Sequence, residues 1–478
     1  MNSKNSSKFI CIRWRGYGLF KFIISILFFT GNTVSILYIT EKFRYGRNFV
    51  LLIGSLFFYF VGEPKAIVVM LLSIFINYIG GIAVNSGGEK QRKISLTIVV
   101  ILNLAILFYY KYLMFIVGNL SKIFDINVET KSIYMPIGIS FFTFQGMSYV
   151  FDVYMKNAEV KKNPLDIALY ISLFPQLIAG PIVRYKTVAD EIDGRVETLS
   201  LFSTGVIRFI VGLSKKVLLA NKFGIIADEI FKLNGNYNLS VPLSWFGVTM
   251  FALQIYYDFS GYSDMAIGLG KMFGFNFLEN FDYPYISKSI TEFWRRWHMS
   301  LGTWFRDYIY IPLGGNRVSV PRHILNMFIV WFLTGFWHGA SWNYIIWGLY
   351  FFVFLVIEKY IFGSKFEQVP KIFRHLYALI VILVGWVIFK EENSFLLLKY
   401  LKAMFNVGLK PTIGGVTYYL KEYYIEIFLG IMFSTNIFKA FEKGKKTIPA
   451  ILIYFILLIL SIISLFSSSY NPFIYFRF

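Results

Sequence analysis

Long apolar runs recur along almost the whole chain, and this pattern constrains the fold more than any other feature. The runs fall near residues 18–40, 66–84, 95–118, 133–155, 165–183, 200–220, 241–270, 324–341, 343–362, 376–389, 424–440 and 448–468. Because a helix needs about 20 mostly apolar residues to cross a membrane, they predict an all-α polytopic membrane protein with about 11–13 membrane helices. A shorter run at 49–62 is joined to the next by Glu63, Pro64 and Lys65, which predicts a helical hairpin.

The composition agrees with a chain that lies in lipid. Hydrophobic residues make up 56% of it and charged residues 15%, whereas soluble domains average about 25% charged residues. The net charge of +20 is carried by basic residues between the apolar runs, without an aromatic-interleaved RNA motif, so we expect no nucleic-acid partner. Cys11 is the only cysteine, which excludes disulfides within the chain and thiolate metal sites, and we expect no metal.

Basic loops alternate with balanced loops between the predicted spans. Loops 41–47, 89–93 and 156–164 are basic, whereas loop 119–132 carries as many acidic as basic residues. Because basic loops stay on the cytoplasmic side, this alternation predicts which loops lie inside, although it leaves the basic amino terminus outside. No small-residue cleavage site follows the run at 18–40, which therefore predicts a retained first span.

His338 lies in a long stretch without strong charges. No Asp, Glu, Lys or Arg occurs between Arg322 and Glu358. An ionisable side chain is costly to hold at membrane depth, so a functional role is the default interpretation. The alternative is a neutral imidazole that hydrogen-bonds to a neighbouring helix and serves the structure alone.

His298 lies in a segment with the periodicity of an amphipathic helix. One apolar stripe, at about 100° per residue, holds Trp294, Trp297, Leu301, Trp304, Phe305 and Tyr308. His298 falls at the edge of this stripe, and Arg295 and Arg306 share a neighbouring face. The pattern predicts an interfacial helix that borders a reaction chamber. The alternative is an anchor helix with snorkelling arginines and an incidental histidine.

Arg295 and Arg306 belong to a basic stretch at residues 286–322. Such a density of positive charge favours the cytoplasmic face. Guanidinium groups also match phosphate geometry, so these two arginines are candidates for binding a donor such as coenzyme A. For any single arginine, a role in topology alone is the alternative.

A third group of polar residues interrupts the apolar run at 241–270. Its candidate binding residues are Gln254, Tyr257, Asp258 and Asp264. Carboxylates inside such a run must be paired, protonated or in contact with a water-filled cavity. Hydrogen bonding between helices is the alternative to a binding role. Pro284 predicts re-entrant backbone between this group and His298.

Four motifs occur in order along the chain, at Asp258–Gly268, Phe293–Leu301, Trp304–Arg317 and Phe336–Gly339. With supporting stretches at Pro136–Gln145 and Phe174–Arg184, they resemble the membrane-bound O-acyltransferase family. Within that family the chain is similar to the bacterial alginate O-acetyltransferase branch. The resemblance predicts one domain over 1–478, with a motif-bearing core at about 50–350 and less diagnostic helices at 370–470.

The resemblance implies a ring of helices in which a cytoplasmic donor entrance and an outward funnel meet near the histidines. It implies that His338 is the catalytic histidine and His298 the second signature residue. Trp337 and Asn343, close to His338 in the sequence, are further candidates for substrate or donor contact. The family needs no bound cofactor, and acetyl-CoA is the expected donor substrate. The expected location is the bacterial cytoplasmic membrane.

A sugar hydroxyl attacks readily only when a base takes its proton, and a neutral imidazole suits that task near pH 7. We therefore expect His338 to be the general base, and His298 to position the thioester carbonyl or hydrogen-bond the developing oxyanion. The expected acceptor is an extracytoplasmic polysaccharide such as alginate, reached directly or through a partner acetyltransferase.

Other functions stay open on the sequence alone. D-alanyl transfer to teichoic acid is the first alternative. A polysaccharide transporter or a non-enzymatic scaffold is the second, although a transporter should show related halves, which the sequence lacks.

Overall fold

The computed structural model describes residues 44–126, 133–177, 180–408, 410–437, 447–467 and 470. Within these ranges the chain forms helices, turns and loops and no β-strand. The predicted span at 18–40 lies outside the described residues. Residue contacts group the chain into two compact units. The amino-terminal unit comprises the described residues of 44–209 and 265–279, and the carboxy-terminal unit those of 210–264 and 280–470.

The amino-terminal unit begins with the predicted hairpin. Its helices are α1 (Arg44–Gly62), α2 (Ile67–Asn85), α3 (Glu89–Phe124), α4 (Ile139–Tyr154), α5 (Pro164–Ser172), α6 (Phe174–Leu177) and α7 (Tyr185–Gly194). A tight turn joins α1 to α2, in which the Ala66 amide donates to the Glu63 carbonyl (3.0 Å). The structure therefore confirms the hairpin.

Helices α2 and α3 are held together by a pair of buried amides. The Asn77 Nδ2 donates to Asn103 Oδ1 (2.9 Å), and the Asn103 Nδ2 donates back to Asn77 Oδ1 (3.1 Å). A Cβ atom on Gly80 would lie 2.6 Å from the Val99 side chain, so only glycine permits this approach. Small residues and interhelical hydrogen bonds of this kind commonly join helices in membranes.

The apolar run at 165–183 is not one spanning helix, contrary to expectation. Helix α5 ends at Ser172, and α6 holds only Phe174–Leu177. Pro175 lacks a backbone N–H and cannot lie inside a continuous helix, but it is tolerated in a first turn. The helix therefore stops before the proline and restarts with it in the first turn.

The chain continues through the carboxy-terminal unit as a further series of helices. They are α8 (Leu199–Ser214), α9 (Asn221–Asn236), α10 (Val241–Met272), α11 (Ile290–Arg296), α12 (Met299–Phe305), α13 (Val320–His338), α14 (Trp342–Phe362), α15 (Lys365–Gln368), α16 (Lys371–Lys390), α17 (Ser394–Met404), α18 (Val416–Glu422), α19 (Tyr424–Phe433) and α20 (Ile448–Ser467). Helices α8 and α10 carry residues of both units. A π-helical turn, Lys215–Ala220, joins α8 to α9.

Six helices of the described residues are long and apolar enough to cross a membrane. They are α1, α2, α3, α14, α16 and α20. The predicted runs at 133–155, 200–220, 241–270 and 324–341, and the described part of the run at 424–440, also fold largely as helices but fall short of this measure. The chain is thus an all-α, multi-pass membrane protein, as the sequence predicts.

The short helix α11 packs its aromatic face into the core of the carboxy-terminal unit. The Phe293 and Trp297 rings lie 5.5 Å apart, and Trp297 lies 4.9 Å from Trp386 of α16. Trp294 contacts Trp347 of α14 at 5.3 Å. Large aromatic side chains make much of the buried area of such a core, so α11 is fixed against α14 and α16.

A buried carboxylate anchors the start of α11. Glu358 of α14 accepts hydrogen bonds from the backbone N–H groups of Ile290 (2.5 Å) and Thr291 (2.9 Å) and from the Thr291 hydroxyl (2.7 Å). The first N–H groups of a helix have no partner within it, and negative charge is favourable there. This contact positions the segment that leads to His298.

Candidate active site

His338 is the last residue of α13 and is buried. Its imidazole is surrounded by aromatic rings, with centroid distances of 5.1 Å to Trp337, 4.9 Å to Trp347 and 5.3 Å to Phe389. These rings come from α13, α14 and α16, so three helices fix the position of one side chain. Such a cage keeps water away from the imidazole.

Close packing of α13 against α14 fixes the position of His338. A Cβ atom on Gly335 would lie 2.4 Å from the Tyr344 carbonyl oxygen, and one on Gly348 would lie 2.4 Å from the Trp331 carbonyl oxygen. Any larger residue would push the two backbones apart. The glycines therefore allow the contact between His338 and Trp347.

His298 lies in a break between two short helices. The predicted amphipathic helix is not continuous: α11 ends at Arg296, α12 begins at Met299, and His298 between them has a positive φ of 46°. A left-handed backbone conformation is uncommon for a residue with a side chain, and such residues cluster at functional sites. The predicted stripe residues Trp297 and Leu301 are nevertheless buried on both sides of the break.

A network of hydrogen bonds holds one side of the His298 ring. The Asn280 Oδ1 lies 3.1 Å from His298 Nδ1, and it also accepts from the Ser300 backbone N–H (3.2 Å) and hydroxyl (2.9 Å). The Asn280 Nδ2 donates to the Ser263 hydroxyl (3.1 Å). Burial lowers the pKa of His298 to about 3, so its imidazole is neutral at physiological pH.

Trp337 brings the two histidines to one place. Its ring lies 6.0 Å from the His298 ring and 5.1 Å from the His338 ring. The Phe259 ring of α10 also contacts His298, at 4.6 Å. Three of the residues singled out from the sequence, His298, Trp337 and His338, therefore form one buried cluster, the histidine cluster.

Comparison with known proteins decides the family. The sequence model of the MBOAT, or membrane-bound O-acyltransferase, family matches residues 92–398, which contain the whole histidine cluster. The chain belongs to the membrane-bound O-acyltransferase family.

Several curated members of the family are similar over most of their length. A probable alginate O-acetylase, AlgI, of Azotobacter vinelandii is 41% identical over 387 residues, covering 78% of this chain and 75% of that protein. A peptidoglycan O-acetyltransferase of Helicobacter pylori is 35% identical over 75% of this chain and 73% of that protein. A teichoic acid D-alanyltransferase of Bacillus subtilis is 32% identical over 49% of this chain and 62% of that protein.

Asn343 supports the histidine cluster from α14. Its Nδ2 donates to the backbone carbonyls of Phe389 (3.0 Å) and Ile388 (3.4 Å), at the end of α16. Because the Phe389 ring packs on His338, Asn343 fixes a wall of the histidine cluster.

The polar residues of α10 divide into two groups. Asp258 is paired with the buried Lys216 (2.5 Å), and Asp264 is paired with Lys215 (2.7 Å). Both carboxylates are thus paired, which is one of the three states that the sequence allowed. Both lysines belong to the π-helical turn between α8 and α9, so these contacts join that turn to α10.

Tyr257 and Gln254 point toward other helices of the carboxy-terminal unit. The Tyr257 hydroxyl donates to the Gly430 carbonyl of α19 (2.5 Å). Gln254 is buried against Gly224 of α9, where a Cβ atom would lie 2.6 Å from its amide nitrogen. Of this stretch of α10, it is Phe259 that contacts His298, and the sequence analysis did not select it.

The two candidate donor-binding arginines lie on the surface. Arg295 is exposed, and the Arg306 side chain is 59% exposed with its Nε 2.8 Å from Asp307. Arg296, in contrast, is half-buried and pairs with Asp282 (3.0 Å) and Glu292 (3.1 Å). The structure does not bring Arg295 and Arg306 into the histidine cluster.

A third histidine lines a cavity that the sequence analysis did not identify. The cavity, of about 190 Å³, has Tyr310, His323, Trp331 and Lys359 among its lining residues and neither histidine of the cluster. The Tyr310 hydroxyl lies 2.6 Å from His323 Nε2, and the Tyr360 hydroxyl lies 2.5 Å from Nδ1. Both ring nitrogens of His323 thus have partners, as in a structural histidine.

Proposed function

We propose that this membrane-bound O-acyltransferase moves an acetyl group from a cytoplasmic thioester donor to hydroxyl groups of an extracytoplasmic polysaccharide, with alginate or a similar exopolysaccharide as acceptor. The single observation that carries the proposal is the histidine cluster, in which Trp337 contacts both imidazoles in a buried position. The acetyl group is supported by the two relatives that cover about three quarters of the chain, both of which are named for O-acetyl transfer.

In the reaction, His338 acts as the general base. A sugar hydroxyl becomes a strong nucleophile as its proton is taken, and an imidazole can take that proton near pH 7. The new C–O bond forms at the thioester carbonyl, the thiolate leaves, and the proton held by His338 is available to the leaving sulfur. The aromatic rings around His338 exclude water, which would otherwise compete with the sugar for the acetyl group.

His298 is the second polar group of the site and holds the reacting groups in place. The sequence analysis predicts one of two roles for it, positioning of the thioester carbonyl or donation of a hydrogen bond to the oxyanion. Its position 6.0 Å from the Trp337 ring supports a role next to His338.

Acetyl-CoA is the proposed donor, and it enters from the cytoplasmic side. The exposed guanidinium groups of Arg295 and Arg306 are accessible to its phosphates. An extracytoplasmic acetyltransferase is the proposed partner wherever the polysaccharide itself does not reach the site.

Substitution of His338 tests the proposal. In a purified assay with acetyl-CoA and oligosaccharide, His338→Gln should lower kcat by about a hundredfold to ten-thousandfold, because its amide can hydrogen-bond but cannot accept the proton. His338→Ala should be equally inactive. His375→Gln, at a histidine of α16 that bonds to the Ser287 carbonyl (2.9 Å), is the matched control and should keep its rate. Near-normal turnover of folded His338→Gln would refute the assignment.

D-alanyl transfer is the second candidate function, because teichoic acid D-alanyltransferases of about 32% identity match half of the chain. An assay of the purified protein with each donor distinguishes the two functions. We expect transfer from acetyl-CoA and none from a D-alanyl thioester, and the reverse result would replace acetyl by D-alanyl. Transfer from neither donor, with binding of oligosaccharide, would favour a transporter or scaffold.

A further inference from the structure

The hydrogen bonds of Asn280 carry information on the protonation of His298. Three groups converge on one Asn280 atom, Oδ1: the Ser300 N–H, the Ser300 hydroxyl and the His298 Nδ1. A backbone N–H can only donate. The atom that it contacts must therefore be the amide oxygen, and the orientation of the Asn280 side chain follows.

An amide oxygen can only accept, so the proton between Asn280 and His298 must lie on the Nδ1 of the imidazole. A neutral imidazole carries one N–H, which leaves the lone pair on Nε2. The Nε2 atom is buried and has no hydrogen-bond partner among the described residues. It is the polar atom of His298 that is left to contact a substrate.

We propose that Asn280 is a positioning residue that holds His298 in the Nδ1–H tautomer, so that Nε2 meets the acceptor sugar as a hydrogen-bond acceptor. The ligand of Nε2 is then a hydroxyl group, which has a proton to donate, and not the oxyanion, which has none. A thioester carbonyl oxygen also has no proton to donate, so this role replaces both of those that the sequence leaves to His298. Only this last step rests on the proposed function.

Backbone hydrogen bonds hold Asn280 beside His298. The Asn280 carbonyl accepts from the Met299 N–H (3.0 Å), and the Asp282 N–H donates to the Arg296 carbonyl (3.0 Å). Segments 280–282 and 296–299 are therefore joined on both sides of His298. The Phe259 ring, at 4.6 Å and 86° to the imidazole, limits rotation of the ring.

A purely structural role for Asn280 is the competing explanation, since its oxygen also accepts from the first turn of α12. Asn393 provides a matched control, because its oxygen accepts from the Phe395 (2.9 Å) and Leu396 (3.2 Å) N–H groups at the start of α17. Asn280→Leu and Asn393→Leu each remove one side-chain amide of this kind. Of the two, only Asn280 contacts His298, so only Asn280→Leu also removes that contact.

The tautomer can be measured without any acyl transfer. The chain has four histidines, so ¹⁵N-histidine labelling of the whole protein in lipid gives a small set of ring nitrogen signals, and His298→Gln assigns those of His298. We expect a protonated Nδ1 and an unprotonated Nε2 in the native protein. Asn280→Asp, which keeps an oxygen acceptor, should keep the proton on Nδ1, and Asn280→Leu should move it to Nε2. A native His298 with its proton on Nε2 would overturn the proposal.

The activity assay then tests the functional step. Asn280→Leu should lower kcat about a hundredfold, because a wrong histidine tautomer removes the needed lone pair. Asn280→Asp should retain more activity than Asn280→Leu. The control Asn393→Leu should keep the native kcat. Equal kcat values in Asn280→Leu and Asn393→Leu would make Asn280 a helix cap and refute the proposal. A normal rate in His338→Gln would refute the proposed function instead, with the tautomer unaffected.

Discussion

Arginine side chains within the basic stretch 286–322 differ in their burial and in their carboxylate partners. Arg296 is half-buried between two carboxylates, whereas Arg295 is exposed and the Arg306 side chain is 59% exposed. An exposed guanidinium can bind a phosphate without first losing a buried partner. Arg317 and Arg322 are exposed as well, and they carry the same charge in the same stretch.

Arg295→Gln/Arg306→Gln should weaken the binding of acetyl-CoA. Hydrogen bonds to charged groups contribute about 1.5–3 kcal/mol, so loss of even one phosphate contact should raise Kd roughly tenfold or more. Calorimetric titration of the purified protein with acetyl-CoA measures this. Arg317→Gln/Arg322→Gln removes equal charge and should change Kd less. An equal loss in both double variants would mean that the arginines act only through net charge.

Single residues with an unusual setting were the most predictable part of the site. His338 was found because an ionisable group stands in a stretch without strong charges, and His298 because it lies at the edge of an amphipathic stripe. The resemblance to the family pointed to both. Asn280, Phe259 and Phe389 were missed. Their importance comes from contacts with residues that lie 18, 39 and 51 positions away in the chain, and no local pattern records such distances.

Secondary-structure elements show where a periodic pattern fails. The helical spacing of the tryptophans from Trp294 to Trp304 predicts one continuous helix, yet the helix breaks at His298. Two backbone hydrogen bonds stabilise the break, from the Met299 N–H to the Asn280 carbonyl and from the Asp282 N–H to the Arg296 carbonyl. Asn280 and Asp282 belong to a loop that the periodic pattern does not include.

The break within residues 165–183 has a local cause, Pro175, which a count of apolar residues overlooks. The hairpin at Glu63–Lys65 was correct because its proline and charges lie in the turn itself.

The ion pair that joins α10 to the π-helical turn after α8 should stabilise the carboxy-terminal unit. Asp258 and Lys216 side chains are each 2% exposed, and removing one partner of a buried pair typically costs about 3–5 kcal/mol. Asp258→Asn should therefore lower the thermal unfolding midpoint in detergent far more than Glu279→Gln. The latter removes the 50% exposed partner of Arg208 and should cost about 0–1 kcal/mol.

A different result would restore the binding role that the sequence assigned to Asp258. In that case Asp258→Asn would leave the unfolding midpoint unchanged and raise KM for acetyl-CoA or for the acceptor. Loss of stability and loss of binding are thus separated by measuring the unfolding midpoint and KM on one preparation.

At the scale of the whole molecule, function depends on which ends of the helices face the cytoplasm. The proposed donor, acetyl-CoA, is a cytoplasmic compound and the proposed acceptor is outside. On this proposal the two substrates approach the histidine cluster from opposite sides of the membrane. Burial and hydrogen bonds do not tell inside from outside. The charge pattern of the loops does, because basic loops are retained on the cytoplasmic side.

Cysteine labelling in cells tests this orientation. In a background with Cys11 replaced, a cysteine at Asn157, in the basic loop 156–164, should be protected from an impermeant thiol reagent added outside. A cysteine at Asn127, in the balanced loop 119–132 and outside the described residues, should react. The predicted span at 133–155, which contains helix α4 (Ile139–Tyr154), lies between the two positions, so the predicted topology separates them by one crossing. Equal labelling of both would contradict the topology, and with it the entry of the donor from the cytoplasm, whereas reversed labelling would place loop 156–164 outside.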